Sequence, residues 1–201
     1  MNDFKSKMDE KIRIYSKKSY LDGYIKDEFL TEDGDADIFL NIEKREDLFD
    51  SRTSGKQIDL TYEVYDFIEE KTSMLDSNTK INLHITGLYL TPHEQGIVRH
   101  LIKEHYAIQL YKIQRVYIRY RNKIVGLITF GLLCFLLYTL LYLLTDFDFF
   151  LEVFGFIASF SLWVALECYI YTFSDVKSER ISITQNLLIG VDFDNKEKDI
   201  Y

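Results

Sequence analysis

The segment Asp33-Gly34-Asp35-Ala36-Asp37 carries carboxylates at alternate positions, the spacing that calcium loops use. An EF-hand loop also needs Gly at its sixth position and Glu at its twelfth, where this chain has Ile38 and Lys44. A nucleotidyltransferase-type metal pair at Asp35 and Asp37 would need a preceding Gly-Ser loop, which is missing. Asp33, Asp35 and Asp37 are thus the candidate metal ligands, set against the plainer reading of a solvated acidic turn. Ser54-Gly55-Lys56 has the end of a phosphate loop without its earlier Gly or the Ser/Thr after Lys. His84, His93, His100 and His105 show no HExxH pattern or i, i+4 ligand pair, so zinc is not expected. No GxSxG nucleophile elbow occurs. The residues predict neither a cofactor nor an enzyme.

One further residue has the wrong chemistry for its surroundings. Glu167 lies near the end of the apolar stretch Phe149–Phe173, and an ionisable group inside a membrane span is a functional candidate by default. A hairpin folded about Thr145–Phe149 puts Glu167 beside Ile128 and Thr129, within reach of Lys123. It then either snorkels to the inner interface or pairs inside an oligomeric bundle. Gly155 and Ser159, four apart, would let helices approach closely.

These residues need elements to hold them, and the strongest element signal is hydrophobic. Ile124–Leu144 is 21 residues without a charge, about 31 Å as a helix and close to the hydrocarbon thickness of a bilayer. In Phe149–Phe173 the uncharged run is only Val153–Leu166, but flanking Phe, Trp and Tyr residues extend it to spanning length. The sequence predicts a two-helix transmembrane hairpin. Lys112, Arg115, Arg119, Arg121 and Lys123 form a lipid-facing basic collar before the first span. Asp146, Asp148 and Glu152 are the acids around the connecting turn, and Lys177 and Arg180 follow the second span. Basic flanks stay on the cytoplasmic side, so a cell-membrane protein with both termini inside is expected.

The net charge of −8 is unevenly spread. Residues 1–111 carry 22 acids and 15 bases, whereas 112–123 carry five bases and no acid. An acidic domain behind a basic collar argues against nucleic acid as a partner. Cys134 and Cys168 fall in or near the spans and suggest no disulfide framework. The polar start of the chain does not read as a signal peptide, which leaves the first span as its own insertion signal.

Along the chain, Phe4, Met8, Ile12 and Tyr15 recur at helical spacing in an arm (1–34). In an α/β domain (35–111), Ala36–Ile42 and Lys80–Thr86 alternate like strands, with a helix over Gln57–Met74 between them. Thr91, Pro92 and Glu94 form a capping box that starts another helix. The β-rich stretch 106–123 is still expected to be helical, because neither Gly nor Pro interrupts His100–Val125. It becomes a basic juxtamembrane helix (112–123) leading into spans 124–144 and 149–173. A βαβα unit predicts parallel pairing, but two strands make an unstable sheet. Leu188–Phe193, in the tail 174–201, is the expected third strand. The fold class is therefore an α+β membrane protein, a small βαβα domain followed by a transmembrane hairpin.

The layout around Ile81–Tyr106 and the Trp163…Glu167 spacing resemble a family of small bacterial integral membrane proteins. These carry an N-terminal cytoplasmic α/β region and two C-terminal spans. The resemblance covers roughly residues 36–193 and implies a bacterial plasma membrane, with no catalytic residues to carry over. The expected role is a membrane-anchored, non-catalytic module that binds the bilayer and a membrane or cytoplasmic protein, or forms a homo-oligomer. Alternatives are an oligomeric channel or transport subunit using Glu167, and a metal-dependent enzyme at the membrane surface.

Overall fold

The computed structural model describes residues 10, 11, 13, 25, 28–53, 55–144 and 148–194. Most of the expected arm, with Phe4, Met8, Ile12 and Tyr15, and the turn residues 145–147 fall outside these residues, as does Ser54. The chain divides into two compact units, Met1–Ala107 with Thr184–Tyr201, and Ile108–Ile183.

The first unit is built on three strands, β1 (Ala36–Asn41), β2 (Ile81–Thr86) and β3 (Gly190–Asp194). All are parallel, in the order β1-β2-β3. The third strand is the tail segment that the alternation of Ile189, Val191 and Phe193 indicates. Between β1 and β2 come a short helix α1 (Arg45–Leu48), a single 3-10 turn (Gly55–Gln57) and α2 (Tyr62–Thr72). The sequence predicts helix from Gln57. Instead, Phe49 bridges Leu60, and Thr61 N donates to Leu48 O at 3.0 Å, so the chain closes a loop before α2 begins.

The inward strand residues Ile38, Leu83, Ile85 and Val191 share one core with Val64 and Ile68 of α2. Val98, Ile102 and Tyr106 join them from the first turns of α3 (Pro92–Leu144). Both helices therefore pack on one face of the sheet, as right-handed crossovers stepping the same way across it require. Leu83, Ile68, Leu90 and Val98 are fully buried, and each such side chain contributes about 1.5–3 kcal/mol of burial. At the carboxyl end of β2, Gly87 has φ +90°, and a Cβ there would lie 2.6 Å from Ile42 O. Only Gly lets β1 and β2 close at that point.

The capping box forms as the sequence indicates. Thr91 N donates to Glu94 Oε2 at 2.9 Å, and Glu94 N donates to Thr91 Oγ1 at 3.3 Å. Glu94 also pairs with Arg45. Helix α3 then runs without a break through 106–123 to Leu144.

The second unit contains the later part of α3, α4 (Asp148–Glu167), a π-helical turn (Cys168–Phe173) and most of α5 (Ser174–Leu187). The sequence reading ends this apolar helix at Phe173, but helical backbone continues to Leu187. A Cβ on Gly131 would meet Leu162 Cγ at 3.0 Å, and one on Gly155 would touch Tyr138 at 3.5 Å. Position numbers rise along one helix as they fall along the other, so the two are antiparallel. Ala158, Ser161 and Ala165 are buried on α4, and Cys134 on α3. Small side chains therefore form the seam, as close helix approach requires. The chain thus combines a small three-stranded sheet with two helices, Pro92–Leu144 and Leu151–Leu187, long and apolar enough to cross a membrane.

Candidate functional site

Strand alternation sends every second residue to the face the helices do not cover. Three rows cross that face. The first is Asp37, Asn82 and Gly190; the second Phe39, His84 and Asp192; the third Asn41, Thr86 and Asp194. No Lys or Arg occupies any of the nine positions. Asp192 and Asp194 are exposed, and Phe39 is 64% exposed. The Phe39 ring stacks on His84 with centroids 4.9 Å apart and planes 19° apart. Asp37 Oδ1 accepts a hydrogen bond from Asn82 Nδ2 at 3.1 Å and lies 3.3 Å from His84 Nε2, outside hydrogen-bond alignment. The result is an aromatic platform edged by carboxylates.

The edges of this sheet are partly closed. Asp37 N donates to Phe29 O, covering the start of β1. On the far edge, Arg99 Nε donates to Val191 O at 3.0 Å while its guanidinium lies 4.9 Å from the centre of the Phe193 ring. Gln185 Nε2 donates to Asp76 O and Thr79 O, fixing the end of α5 beside the loop that leads into β2. Among the described residues no element covers this face, and its borders are held.

Each candidate metal ligand has its own environment. Asp33 is exposed in a turn made by Gly34 at φ +84°, and Asp35 pairs with Lys80 at 2.7 Å. Asp37 is on the sheet face as described above. Among the described residues, no group of three His, Cys, Asp or Glu side chains gathers as a metal-ligand set. The four histidines are separate too: His93 is exposed, His100 lies 3.6 Å from Glu104, and His105 stacks on Tyr65 at 3.7 Å. A second acidic region lies in a cleft of about 350 Å³ lined by Glu46, Asp47, Asp50 and Glu63. There Arg52 grips Asp50 through Nε at 2.9 Å and a terminal guanidinium nitrogen at 2.7 Å. Those bonds hold the Asp50 carboxyl below the usual carboxylate range.

In the second unit, Glu167, Thr129 and Lys123 are all exposed. Thr129 Oγ1 donates to Val125 O of its own helix at 2.8 Å. The structure records no ion pair joining Glu167 to Lys123. Gly155 is half-buried against Tyr138, whereas Ser159 is exposed in a groove shared with Tyr142 and Glu152. Sequence reasoning missed the seam formed by Gly131, Ala158, Ser161 and Ala165. Its signal was small residues seven apart at 158 and 165. The collar residues Lys112, Arg115, Arg119 and Arg121 are exposed, and Arg115 lies 4.8 Å from the centre of the Tyr111 ring.

Of the sequence-derived candidates, then, the open face gathers Asp37 with Phe39, His84 and Asp192, and the others remain dispersed. That face can bind through charge, stacking and hydrogen bonds. No protein-family model, curated protein or solved structure matches this chain.

Proposed function

We propose that this chain is a two-span integral protein of the cell membrane. It presents its sheet unit at the inner face as a non-catalytic module for binding a protein partner, with both termini cytoplasmic. The observation that carries the binding role is the wholly parallel sheet with one face that no described element covers. Parallel sheets normally have both faces covered, so a partner completing this one supplies the missing layer. Anchoring is supported by the two long helices, whose most apolar windows are only 17% buried within the chain. A core helix of a water-soluble protein would be mostly buried. The basic collar supports the orientation through positive-inside retention and attraction to anionic lipid.

Two measurements test this on the full chain. In a Cys134→Ser, Cys168→Ser background, Asn41→Cys is expected to react with an impermeant maleimide only after the inner face is opened. Phe149→Cys is expected to react from outside intact cells. Extraction by alkaline carbonate, or outside labelling at Asn41, refutes the anchored arrangement. A photo-crosslinker replacing Phe39 is expected to give discrete protein adducts, while one replacing exposed Tyr62 serves as the control. If both positions give the same background, the partner-binding role is wrong.

A further inference from the structure

The sheet face that no described element covers also restricts what can bind there. Resting on the partner-binding reading above, we infer that this face binds an arginine-bearing basic segment of a protein partner. Its outward positions include Asp37, Asp192 and Asp194 and no cationic Lys or Arg. A second copy applied by the same face would oppose six carboxylates, with Lys80 at the margin already paired to Asp35, so an isologous dimer there is disfavoured. An acidic or neutral partner would leave the carboxylates unpaired on desolvation.

The aromatic pair selects among cations. Phe39 is 64% exposed and stacked against His84, which leaves an accessible aromatic surface in the middle row of the sheet. Asp192 is in the same row on β3, and Asp37 is one row away on β1. A guanidinium is planar, stacks on such a surface and donates in a fork to a carboxylate. An ammonium offers a point charge and cannot use both features at once. The face should therefore prefer arginine to lysine. Gly190 lies close against Asn82, where a Cβ would meet Asn82 Oδ1 at 3.0 Å.

The test uses the full chain in nanodiscs of neutral phosphatidylcholine, which keeps cationic peptides off the lipid. Fluorescence anisotropy is recorded with a fluorescein-labelled peptide of alternating arginine and serine, and with its lysine and glutamate counterparts. Saturable binding of the arginine peptide is expected, weaker binding of the lysine peptide, and none of the glutamate peptide. Phe39→Ala should weaken arginine binding by about two- to fivefold. The double change Asp192→Asn with Asp194→Asn should weaken it further and flatten its salt dependence. Glu46→Gln with Glu63→Gln, in the separate acidic cleft, should change nothing, and each variant should keep the wild-type thermal transition.

Equal affinity for arginine and lysine peptides with no effect of Phe39→Ala overturns the inference, because charge alone then explains binding. Loss of binding in the cleft variant but not in the face variants overturns it by moving the site. If the wild type binds no arginine peptide while the crosslink from Phe39 persists, the arginine inference fails and the partner-binding role stands. Loss of that crosslink removes the partner-binding role itself.

Discussion

The two units of this chain bury and expose opposite kinds of residue. In the sheet unit, Leu83 and Leu90 are fully buried while Asp192 and Asp194 face outward. In the hairpin unit, Leu136 is 62% exposed and Leu143 is 73% exposed, while Ala158 and Ala165 are buried at 2%. Water rewards the first pattern, because burying apolar area drives folding. In hydrocarbon that drive disappears and close packing of small residues takes over. On the anchoring proposed above, the two patterns are two solvents acting on two segments.

Substitutions of large and comparable effect can break this contrast. Leu83→Ala empties a fully buried site in the sheet unit and should cost about 2–5 kcal/mol. Pulse proteolysis in urea should show this as a lower midpoint for cleavage within the sheet unit. Leu136→Arg separates the two solvents. On a water-exposed helix it should change stability by no more than about 0.5 kcal/mol. At the centre of a span it should cost about 2.5–3.5 kcal/mol of insertion. Carbonate extraction of Leu136→Arg should therefore release a larger fraction than wild type. Unchanged retention and unchanged stability would mean that the exposed leucines do not face lipid.

A smaller effect sharpens the account of where α3 begins. Glu94→Gln removes the charge at the helix start and the pairing with Arg45, and should cost about 0.5–1 kcal/mol. Hydrogen bonds from Thr91, backbone first and side chain next, hold the Glu94 carboxyl below its ordinary range, and Arg45 adds to this. A carboxylate depressed in the folded state contributes fully above its unfolded value, about 4.3, and loses that contribution as pH falls through the folded value. The stability gap between wild type and Glu94→Gln should be constant above about pH 5 and close progressively in more acidic buffer. A gap that widens with acid would show that Glu94 carries no such bonds.

The features legible in the sequence were those set by neighbours along the chain. Thr91, Pro92 and Glu94 specify a helix start within four residues, and the alternation of Ile81, Leu83 and Ile85 specifies a strand. Even β3 was visible, because Ile189, Val191 and Phe193 keep period two after a long interval. Features set by distant partners were harder to read. Residues 174–187 are polar and lack a strong periodic stripe, yet helix persists through Tyr169–Phe173 into them. The loop over 48–61 is closed by a bridge between Phe49 and Leu60, which no local pattern announces. The candidate site divides in the same way. Alternation puts Asp37, Phe39 and Asn41 on one face, but whether that face is covered depends on strand order and crossover direction. Asp192 acquires its role only when β3 pairs with β2.

A near-neutral effect expected at Tyr106 probes how tightly the sheet unit's polar groups are satisfied. Tyr65 and Tyr106 pack edge-to-face with ring centroids 6.4 Å apart, and both belong to the same core. Tyr65 Oη donates to Asp59 Oδ1 at 2.8 Å, whereas the fully buried Tyr106 hydroxyl has no hydrogen-bond partner among the described residues. Burial, followed by the charges of Glu69 and Asp66, pushes the Tyr106 pKa upward, so this hydroxyl stays protonated. An unmatched buried hydroxyl contributes desolvation cost without a bond, while a matched one is worth about 1 kcal/mol. Tyr65→Phe should therefore destabilise by about 1 kcal/mol, and Tyr106→Phe should be neutral or slightly stabilising, because the ring contacts remain. Urea midpoints of the two variants, measured side by side, decide the matter. A loss at Tyr106 equal to that at Tyr65 would mean that its hydroxyl is bonded, with an ordered water as the simplest partner.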